Sequence, residues 1–223
     1  MKISNSKLGI GIPTNFTMIP TEFFDSFILM EKPEWIYLRA STGHIEDMRN
    51  GIVKNAIQAG CSHLIMMDTD QVYDAQTIPR LLSHKLPIVG CLVYRRYPPF
   101  DPLMLRGEIG KYQNINEWEP GSLVEVDATG TGCVLYDVDV FKKMPSPWFK
   151  FSKSSGAVVG EDIGFCSDLR EAGYKIFVDT SIPAGHLSRM IINEGTWKLY
   201  RKVKETEAMH KIEHGTLITK KEE

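Results

Sequence analysis

Residues 63–70 read His-Leu-Ile-Met-Met-Asp-Thr-Asp, an apolar run that ends in two aspartates separated by one threonine. A short apolar run is typical of a strand that is buried on both faces, as in a parallel sheet. In open α/β sheets, ligands bind beyond the carboxyl ends of the strands. The sequence therefore predicts a central strand at 63–67, with Asp68 and Asp70 at the edge of the sheet where a ligand would bind.

The segments around this strand alternate between strand-like and helix-like patterns. Over 45–59, apolar residues recur at helical spacing, and Gly60 provides a C-terminal stop. Alternating strands and helices imply crossover connections and a parallel sheet with helices on both faces. We therefore predict an α/β fold with a mostly parallel central sheet flanked by helices. The predicted elements are strands at 8–12, 35–38, 63–67 and 88–93, and helices at 21–30, 45–59 and before Leu82.

The second half of the chain is less regular. Residues 97–119 are rich in proline, glycine and polar side chains and predict a long loop, which in a compact domain is commonly functional. A second proline- and serine-rich stretch covers 145–156, just before Glu161 and Asp162. Further strands are predicted at 123–128, 133–136 and 175–178. A helix is predicted after a cap at Asp137, and another over 163–172, which ends at Gly173. A third helix is predicted at the start of a charged tail, 196–223.

Composition and charge exclude several classes of protein. Hydrophobic residues make up 43% and charged residues 24%, which is close to the average of soluble proteins. The formal net charge of −2 gives no basic face for nucleic acid, so no nucleic-acid partner is expected. No stretch approaches the roughly 18 apolar residues that a membrane span needs. Residues 1–11 lack the apolar core and the cleavage site of a signal peptide.

Four cysteines are spread far apart and show neither zinc-ligand spacing nor a dense disulfide pattern. Isolated cysteines among apolar neighbours usually act as small buried hydrophobic residues. A reduced, cytoplasmic protein is therefore expected. The cysteines are Cys61, Cys91, Cys133 and Cys166.

Asp68 and Asp70 are the sharpest candidates for chemistry. Two carboxylates separated by one residue, just past an apolar strand, direct oxygen ligands toward one crevice. A hard divalent cation prefers such ligands and can bridge them to a diphosphate. The alternative is a polar turn, because aspartate is common where a strand ends.

Two other polar motifs lie further along the chain. Glu161 and Asp162 either place negative charge at the start of a helix or supply a general base to an acceptor hydroxyl. His186 follows Pro-Ala-Gly in a predicted loop beyond a strand, where it is a surface residue or a ligand for Mn²⁺.

Two further motifs are short. The pair at 95–96, Arg-Arg, could meet a phosphate or a sugar carboxylate, or be solvated. Residues 130–132, Gly-Thr-Gly, lack the spacing of a nucleotide-binding fingerprint and indicate a backbone that passes close to another group.

The order of these motifs resembles that of GT-A-fold glycosyltransferases, similar to the family-2-like enzymes of bacteria and viruses. The resemblance covers about residues 8–190. It implies a single GT-A (Rossmann-like) domain for nucleotide-sugar binding and catalysis over residues 1–190, and a charged, partly helical tail over 191–223. The matching motifs lie at 48–50 (Met-Arg-Asn), 63–70, 128–135, 160–166 and 182–186.

The resemblance also implies a cofactor, Mn²⁺ or Mg²⁺, and a nucleoside-diphosphate sugar as the donor substrate. It implies that Asp70 binds the cation directly, that Asp68 touches the ribose or a metal-bound water, and that His186 is the later metal ligand. Thr14 and Arg49 would lie near the nucleotide, together with the two aspartates.

In inverting relatives the carboxylate of the Glu-Asp motif is the base. The resemblance therefore implies Asp162 as the catalytic base, with Glu161 as its catalytic neighbour.

The predicted function is the transfer of a hexose to a glycan or another hydroxyl acceptor, with inversion at the anomeric carbon; a retaining outcome stays open. The tail is a candidate element for oligomerisation. One alternative is a nucleotidyltransferase that makes nucleotide-sugars, although residues 9–14 lack the Arg and Lys of its glycine-rich signature. Another is a nucleotide- or carbohydrate-binding module without catalysis. A structural interaction protein fits least, because it leaves three polar clusters at strand ends unexplained.

Overall fold

The computed structural model describes residues 7–154, 157–190, 192–205, 211–213 and 216–218. Strands and helices alternate over the first half of the chain, as predicted. They are β1 (Leu8–Pro13), α1 (Thr21–Leu29), β2 (Trp35–Ala40), α2 (Ile45–Gln58), β3 (His63–Met67), β4 (Gln71–Val72), α3 (Thr77–Ser83) and β5 (Ile88–Val93).

The second half contains shorter strands and two more helices before a long final strand. They are β6 (Met104–Arg106), β7 (Gln113–Asn114), β8 (Leu123–Val126), β9 (Ala128–Thr129), β10 (Cys133–Asp137), α4 (Val138–Lys143), β11 (Ser152–Ser154), β12 (Ala157–Val159), α5 (Glu161–Glu171) and β13 (Ile176–His186).

Eight strands form the central sheet in the order β2-β1-β3-β10-β5-β13-β4, with β8 paired to β13. β1, β2, β3, β5 and β13 run in one direction, while β10, β4 and β8 run against them. The sheet is therefore mostly parallel, and the predicted fold class is confirmed.

The alternation of side chains along β3 divides the core between the two faces of the sheet. Leu64 and Met66 pack in a cluster with residues of α2, α4 and α5. Ile65 and Met67 pack in a second cluster with residues of α1 and α3. All four side chains are fully buried, and such burial contributes roughly 1.5–3 kcal/mol per side chain. The helices therefore flank the sheet on both faces, which holds β3 at the centre.

Helix α2 packs unusually close to β1 because Gly11 has no side chain. A Cβ at Gly11 would lie 2.5 Å from Cγ2 of Ile52, which is closer than such contacts occur. This close packing fixes the position of α2, the helix that carries Arg49.

Two predictions about loops were wrong. The predicted loop at 97–119 contains β6 and β7, which form a small sheet with β9, and it buries Met104 and Leu105. The predicted strand at 175–178 continues to His186, so this histidine ends a strand and does not lie in a loop. Two predictions are confirmed. Asp137 caps α4 through the amide of Asp139 at 2.8 Å, and all four cysteines are buried and free.

The chain divides into two units, Met1–Leu187 and Ser188–Glu223. The second unit contains α6 (Glu194–Glu205) and the antiparallel pair β14 (Lys211–Glu213) and β15 (Thr216–Ile218). Parts of the predicted tail lie outside the described residues, and so do residues 1–6 of the N-terminal segment that lacks the features of a signal peptide. Among the described residues, no helix has both the length and the apolar character that a membrane crossing requires.

Candidate active site

Asp68 lies directly beyond β3, and its backbone is fixed on both sides. Its amide donates to the carbonyl of Gly132 at 2.9 Å. The Tyr73 hydroxyl shares its one proton between the carbonyls of Asp68 at 2.7 Å and Gly132 at 2.9 Å. Burial raises the pKa of Tyr73 well above its usual range, so the hydroxyl keeps its proton and remains a donor. The pairing of β3 with β10 therefore extends to the first aspartate.

Gly132 allows this arrangement because a side chain there would collide with the site. A Cβ at this position would lie 2.9 Å from Oδ2 of Asp68. It would lie closer still to Nε2, the side-chain amide nitrogen of Gln71. The close backbone approach that the sequence predicts for residues 130–132 is observed here.

Arg49, on α2, connects Asp68 to the start of α5. The side chain of Arg49 is 5% exposed; its Nη2 lies 3.3 Å from both carboxylate oxygens of Asp68, and its Nη1 donates to Oε1 of Glu161. The guanidinium carbon also lies 5.9 Å from the ring centre of Phe149. Within the described part of the chain, the buried Nε of Arg49 has no hydrogen-bond partner. Arg49 is thus buried behind Asp68 as the centre of an ion-pair network.

The charges in this network shift the pKa values of its members. Burial acts to lower the pKa of Arg49, but the carboxylates of Asp68, Glu161 and Asp162 outweigh it and raise that pKa. Burial raises the pKa values of Glu161 and Asp162, and the nearby Arg49 opposes the rise in both. One permanent cation therefore faces three carboxyl groups.

Helix α5 begins two residues earlier than predicted, which changes the interpretation of its acidic pair. Gly160 occupies the capping position and offers no side chain, so neither acidic residue is the N-cap. Glu161 turns toward Arg49. Oδ1 of Asp162 accepts from the amide of Ile163 at 2.7 Å, and its Oδ2 lies 3.7 Å from the position of a Cβ on Gly130. Asp162 therefore faces the glycine segment that lines Asp68.

Asp70 has a separate set of partners. Nη1 of Arg96 donates to Oδ2 of Asp70 at 2.6 Å, and Nε2 of His186 lies 3.4 Å from the same oxygen. His186 reaches Asp70 because β4 pairs antiparallel with the end of β13, which places Gln71 opposite His186. The amide of Leu187 also donates to the carbonyl of Asp70 at 2.8 Å. The structure thus brings together the predicted residues Asp70 and His186.

The imidazole of His186 is oriented by its second nitrogen. Nδ1 donates to the carbonyl of Tyr94 at 2.8 Å, which leaves Nε2 directed toward Asp70. A backbone acceptor on the second nitrogen is the usual arrangement for a histidine that binds a metal. The hydrogen bond with Asp70 raises the pKa of His186, although burial opposes this.

Asp70 and His186 fit a cation that also binds a ligand. Their facing atoms are 3.4 Å apart, and a carboxylate oxygen beside an imidazole nitrogen is a donor set that would suit Mn²⁺ and, less well, Mg²⁺. Asp68 is not a third ligand here, because it is paired with Arg49. Among the described residues, no group of three or more His, Cys, Asp or Glu side chains could hold a metal ion. The remaining ligands would be waters or phosphate oxygens, as is common for magnesium in phosphate-binding sites.

Thr14 lies at the same edge of the sheet, directly beyond β1, which is next to β3. Its amide donates to the carbonyl of Ala40 at 3.0 Å, and its hydroxyl accepts from the amide of Phe16 at 3.4 Å. Thr14 therefore lies on the β1 side of Asp68.

Gln71 and Tyr73 were missed by the sequence analysis. Gln71 is buried beside Gly132, and its Oε1 has no hydrogen-bond partner among the described residues. Tyr73 holds the backbone of Asp68. The available signal was that both residues lie within three positions of Asp70, which indicates neither burial nor contact.

No protein-family model matches the sequence, and no curated protein matches it. Solved structures do match. A197 from STIV is 17% identical with a TM-score of 0.56, over 82% of this chain and 86% of that chain. GalNAc-T7 with UDP, GalNAc and Mn²⁺ is 11% identical with a TM-score of 0.52, over 83% of this chain and 44% of that chain. TarS 1–349 of S. aureus is 14% identical with a TM-score of 0.48, over 81% of this chain and 60% of that chain.

The fold is GT-A-like. At these identities the similarity shows the fold alone, and this chain spans less than half of the GalNAc-T7 chain. Membership of family 2 stays a prediction.

Proposed function

We propose that the protein is a metal-dependent glycosyltransferase that transfers a hexose from a nucleoside-diphosphate sugar to a hydroxyl acceptor. The observation that supports this most strongly is the contact between Asp70 and His186, which places a carboxylate and an imidazole together just beyond β3 in a GT-A-like sheet. The GalNAc-T7 structure, which contains UDP, GalNAc and Mn²⁺, supports the same choice of ligands for this fold.

Asp70 and His186 would hold the cation, Mn²⁺ or Mg²⁺. When bound, the cation would neutralise the charge that develops on the leaving diphosphate. Arg96, which donates to Asp70, adds positive charge at the same edge of the sheet. These residues would bind and orient the diphosphate end of the donor.

Asp68 and Thr14 would contact the nucleoside end of the donor, with Asp68 on the ribose or on a metal-bound water. Arg49 has both of its terminal nitrogens directed at carboxylates, so it would act on the nucleotide through Asp68. Glu161 would act through Arg49 and not on the substrate.

Asp162 would be the general base. Its Oδ1 is held by the amide of Ile163, and burial raises the pKa of the carboxyl. A raised pKa makes a carboxylate a stronger base at neutral pH. Asp162 would take the proton of the acceptor hydroxyl during an in-line displacement, which inverts the anomeric carbon. Four further points remain predictions. They are the catalytic assignment of residues 1–190, a cytoplasmic location, a glycan or other hydroxyl acceptor, and an oligomer formed through residues 191–223.

Asp70→Ala tests the proposal. The wild-type protein should be stabilised by one nucleotide-sugar of a panel when Mn²⁺ is present, by about 2.7 kcal/mol at one hundred times the dissociation constant. Asp70→Ala should lose this Mn²⁺-dependent stabilisation and all transfer while it keeps its fold. The matched control is Asp25→Ala, which removes an exposed carboxylate from α1.

Near-normal Mn²⁺-dependent turnover in Asp70→Ala would contradict the proposal. Release of pyrophosphate with formation of a nucleotide-sugar would instead indicate a nucleotidyltransferase. Donor binding with neither transfer nor hydrolysis would indicate a binding module.

A further inference from the structure

Residues 93–103 form a hairpin that extends β5 beyond the carboxyl edge of the sheet. The amide of Leu103 donates to the carbonyl of Val93 at 2.7 Å, and the amide of Arg95 donates to the carbonyl of Asp101 at 2.9 Å. Tyr94 and Pro102 form a bridge between these two bonds. We call this segment the aromatic hairpin. It begins inside β5, so its base is held by the central sheet.

The tip of the aromatic hairpin exposes aromatic rings. The amide of Phe100 donates to the carbonyl of Tyr97 at 2.8 Å, which closes the turn. Tyr97 is 68% exposed, Phe100 is 50% exposed and Tyr94 is 38% exposed. Three large rings are therefore exposed within seven residues, and large exposed apolar side chains grouped in this way commonly mark binding sites.

The aromatic hairpin adjoins the Asp70 side of the candidate active site. The carbonyl of Tyr94 accepts from His186, and Arg96 donates to Asp70. The guanidinium carbon of Arg96 lies 5.7 Å from the ring centre of Tyr97. A single arginine side chain therefore connects the ring of Tyr97 to Asp70.

The aromatic hairpin also lies on the side of Asp68 opposite Thr14. In the sheet, β1 is on one side of β3, while β10 and then β5 are on the other. Thr14, a predicted nucleotide residue, follows β1, whereas the aromatic hairpin extends β5. The hairpin is therefore on the side of Asp68 away from the predicted position of the nucleoside.

The backbone at Phe100 is strained. Its φ of 62° lies in the left-handed region, which is unfavourable for a bulky side chain and natural for glycine. Strained residues of this kind cluster at functional sites. An exposed ring therefore occupies a position where glycine would fit the turn better.

We propose that the aromatic hairpin binds the acceptor, and that the acceptor is a saccharide whose ring stacks on Tyr97 and Phe100. This inference rests on the proposed function. One face of a pyranose ring carries mainly C–H groups and packs on an aromatic ring, while its hydroxyls remain free at the edge. Arg95, exposed on the same hairpin, carries N–H groups of the kind that donate to sugar hydroxyls.

The test measures saccharide binding by the full chain on an array of neutral and acidic oligosaccharides, with Mn²⁺ and UDP present and absent. Tyr97→Ala and Phe100→Gly should each weaken binding of the retained glycans by about tenfold, which is typical of the loss of one stacked ring. Phe100→Gly should not lower the melting temperature, because glycine relieves the positive φ. The matched controls are Tyr37→Ala and Phe24→Ala, whose rings are 54% and 51% exposed on β2 and α1. Both should bind like the wild type.

Wild-type binding in both hairpin variants, or no saccharide retained by the wild-type protein, would overturn the proposal. So would variants that bind saccharide normally but lose the stabilisation by UDP, because the rings would then serve the nucleotide. The assay needs no donor sugar and no turnover. A failure of the proposed function, seen as full activity in Asp70→Ala, is therefore separate from a failure of the hairpin to bind saccharide.

Discussion

Asp68 and Asp70 are two residues apart, yet the structure places them in different surroundings. Asp68 is bound by Arg49, whose side chain is 5% exposed and which also binds the buried Glu161. Asp70 is bound by Arg96, which is 43% exposed, and by His186. Breaking a buried ion pair is costly, whereas exposed pairs contribute little. Asp68 is therefore fixed by the fold, whereas under the proposed function Asp70 would exchange these partners for a cation.

The largest expected difference between the two regions is in how much Arg49 and Arg96 contribute to stability. Arg49→Ala leaves Glu161 buried without its cation and should lower the free energy of unfolding by about 3–5 kcal/mol. Arg96→Ala should lower it by less than about 1 kcal/mol, because both members of that pair are partly exposed. Urea denaturation of both variants measures the difference.

The double variant Arg49→Met with Glu161→Met is the control for the buried network. Two apolar side chains of similar length should restore part of the stability that Arg49→Ala loses, because the buried Glu161 no longer lacks its cation, although Asp68 still loses its partner. Equal costs for Arg49→Ala and Arg96→Ala would show that the two regions do not differ.

Asp162→Asn should lower the rate of transfer by about 10²–10⁴, the usual contribution of a general base. Asparagine keeps an oxygen for the amide of Ile163, so the melting temperature and the donor affinity should change little. Turnover is measured with the product anomer read by NMR. Full activity would leave Asp162 with a structural role in the first turn of α5.

Glu161→Gln is a poor control for Asp162→Asn, although the two substitutions look alike in sequence. Glu161 pairs with the buried Arg49, so its neutralisation should lower stability as well as activity. A loss of activity in Glu161→Gln without a loss of stability would assign Glu161 to the chemistry instead.

His186→Ala should weaken the affinity for Mn²⁺ by about 10–100-fold, the range seen when support of a metal site is lost. The control is His63→Ala, because His63 begins β3 at the end of the strand opposite Asp68. Titration of Mn²⁺ against activity in both variants measures the effect. An unchanged Mn²⁺ requirement in His186→Ala would make this histidine a structural partner of Asp70.

The smallest expected effect is a pH dependence of stability in the metal-free protein. Burial acts to raise the pKa of Asp70, but His186 and Arg96 outweigh it and lower that pKa below 3.8, while Asp70 raises the pKa of His186 above 6.5. The pair therefore stabilises the fold while Asp70 is ionised and His186 is protonated. This contribution disappears as the pH rises through the raised pKa of His186, or falls through the lowered pKa of Asp70.

Because both groups are partly exposed, this stabilisation should stay under about 1 kcal/mol. The measurement is the difference in the free energy of unfolding between the wild type and His186→Ala, followed across the range from acid to alkaline pH. A difference that grows as the pH rises above the pKa of His186 would contradict the expected sign.

The sequence alone determined the parallel part of the sheet. In β3 and β5 the apolar runs are continuous, and burial on both faces needs no information from the rest of the chain. It did not reveal β6, because that strand depends on pairing between Leu105 and Ala128 and is too short to show a periodicity. It did not reveal the extension of β13 to His186, because that end pairs with the two residues of β4.

The sequence also determined which residues were candidates for the site, because carboxylates at strand ends and at a helix start can be recognised locally. Only the tertiary structure decided which charges meet. Arg49 contacts Glu161 across 112 positions of the chain, and His186 contacts Asp70 across 116. Ion pairs form between groups that are close in space, and helix α2 and the end of β13 bring these groups together. The different environments of Asp68 and Asp70 are therefore properties of the fold and not of the Asp-Thr-Asp motif.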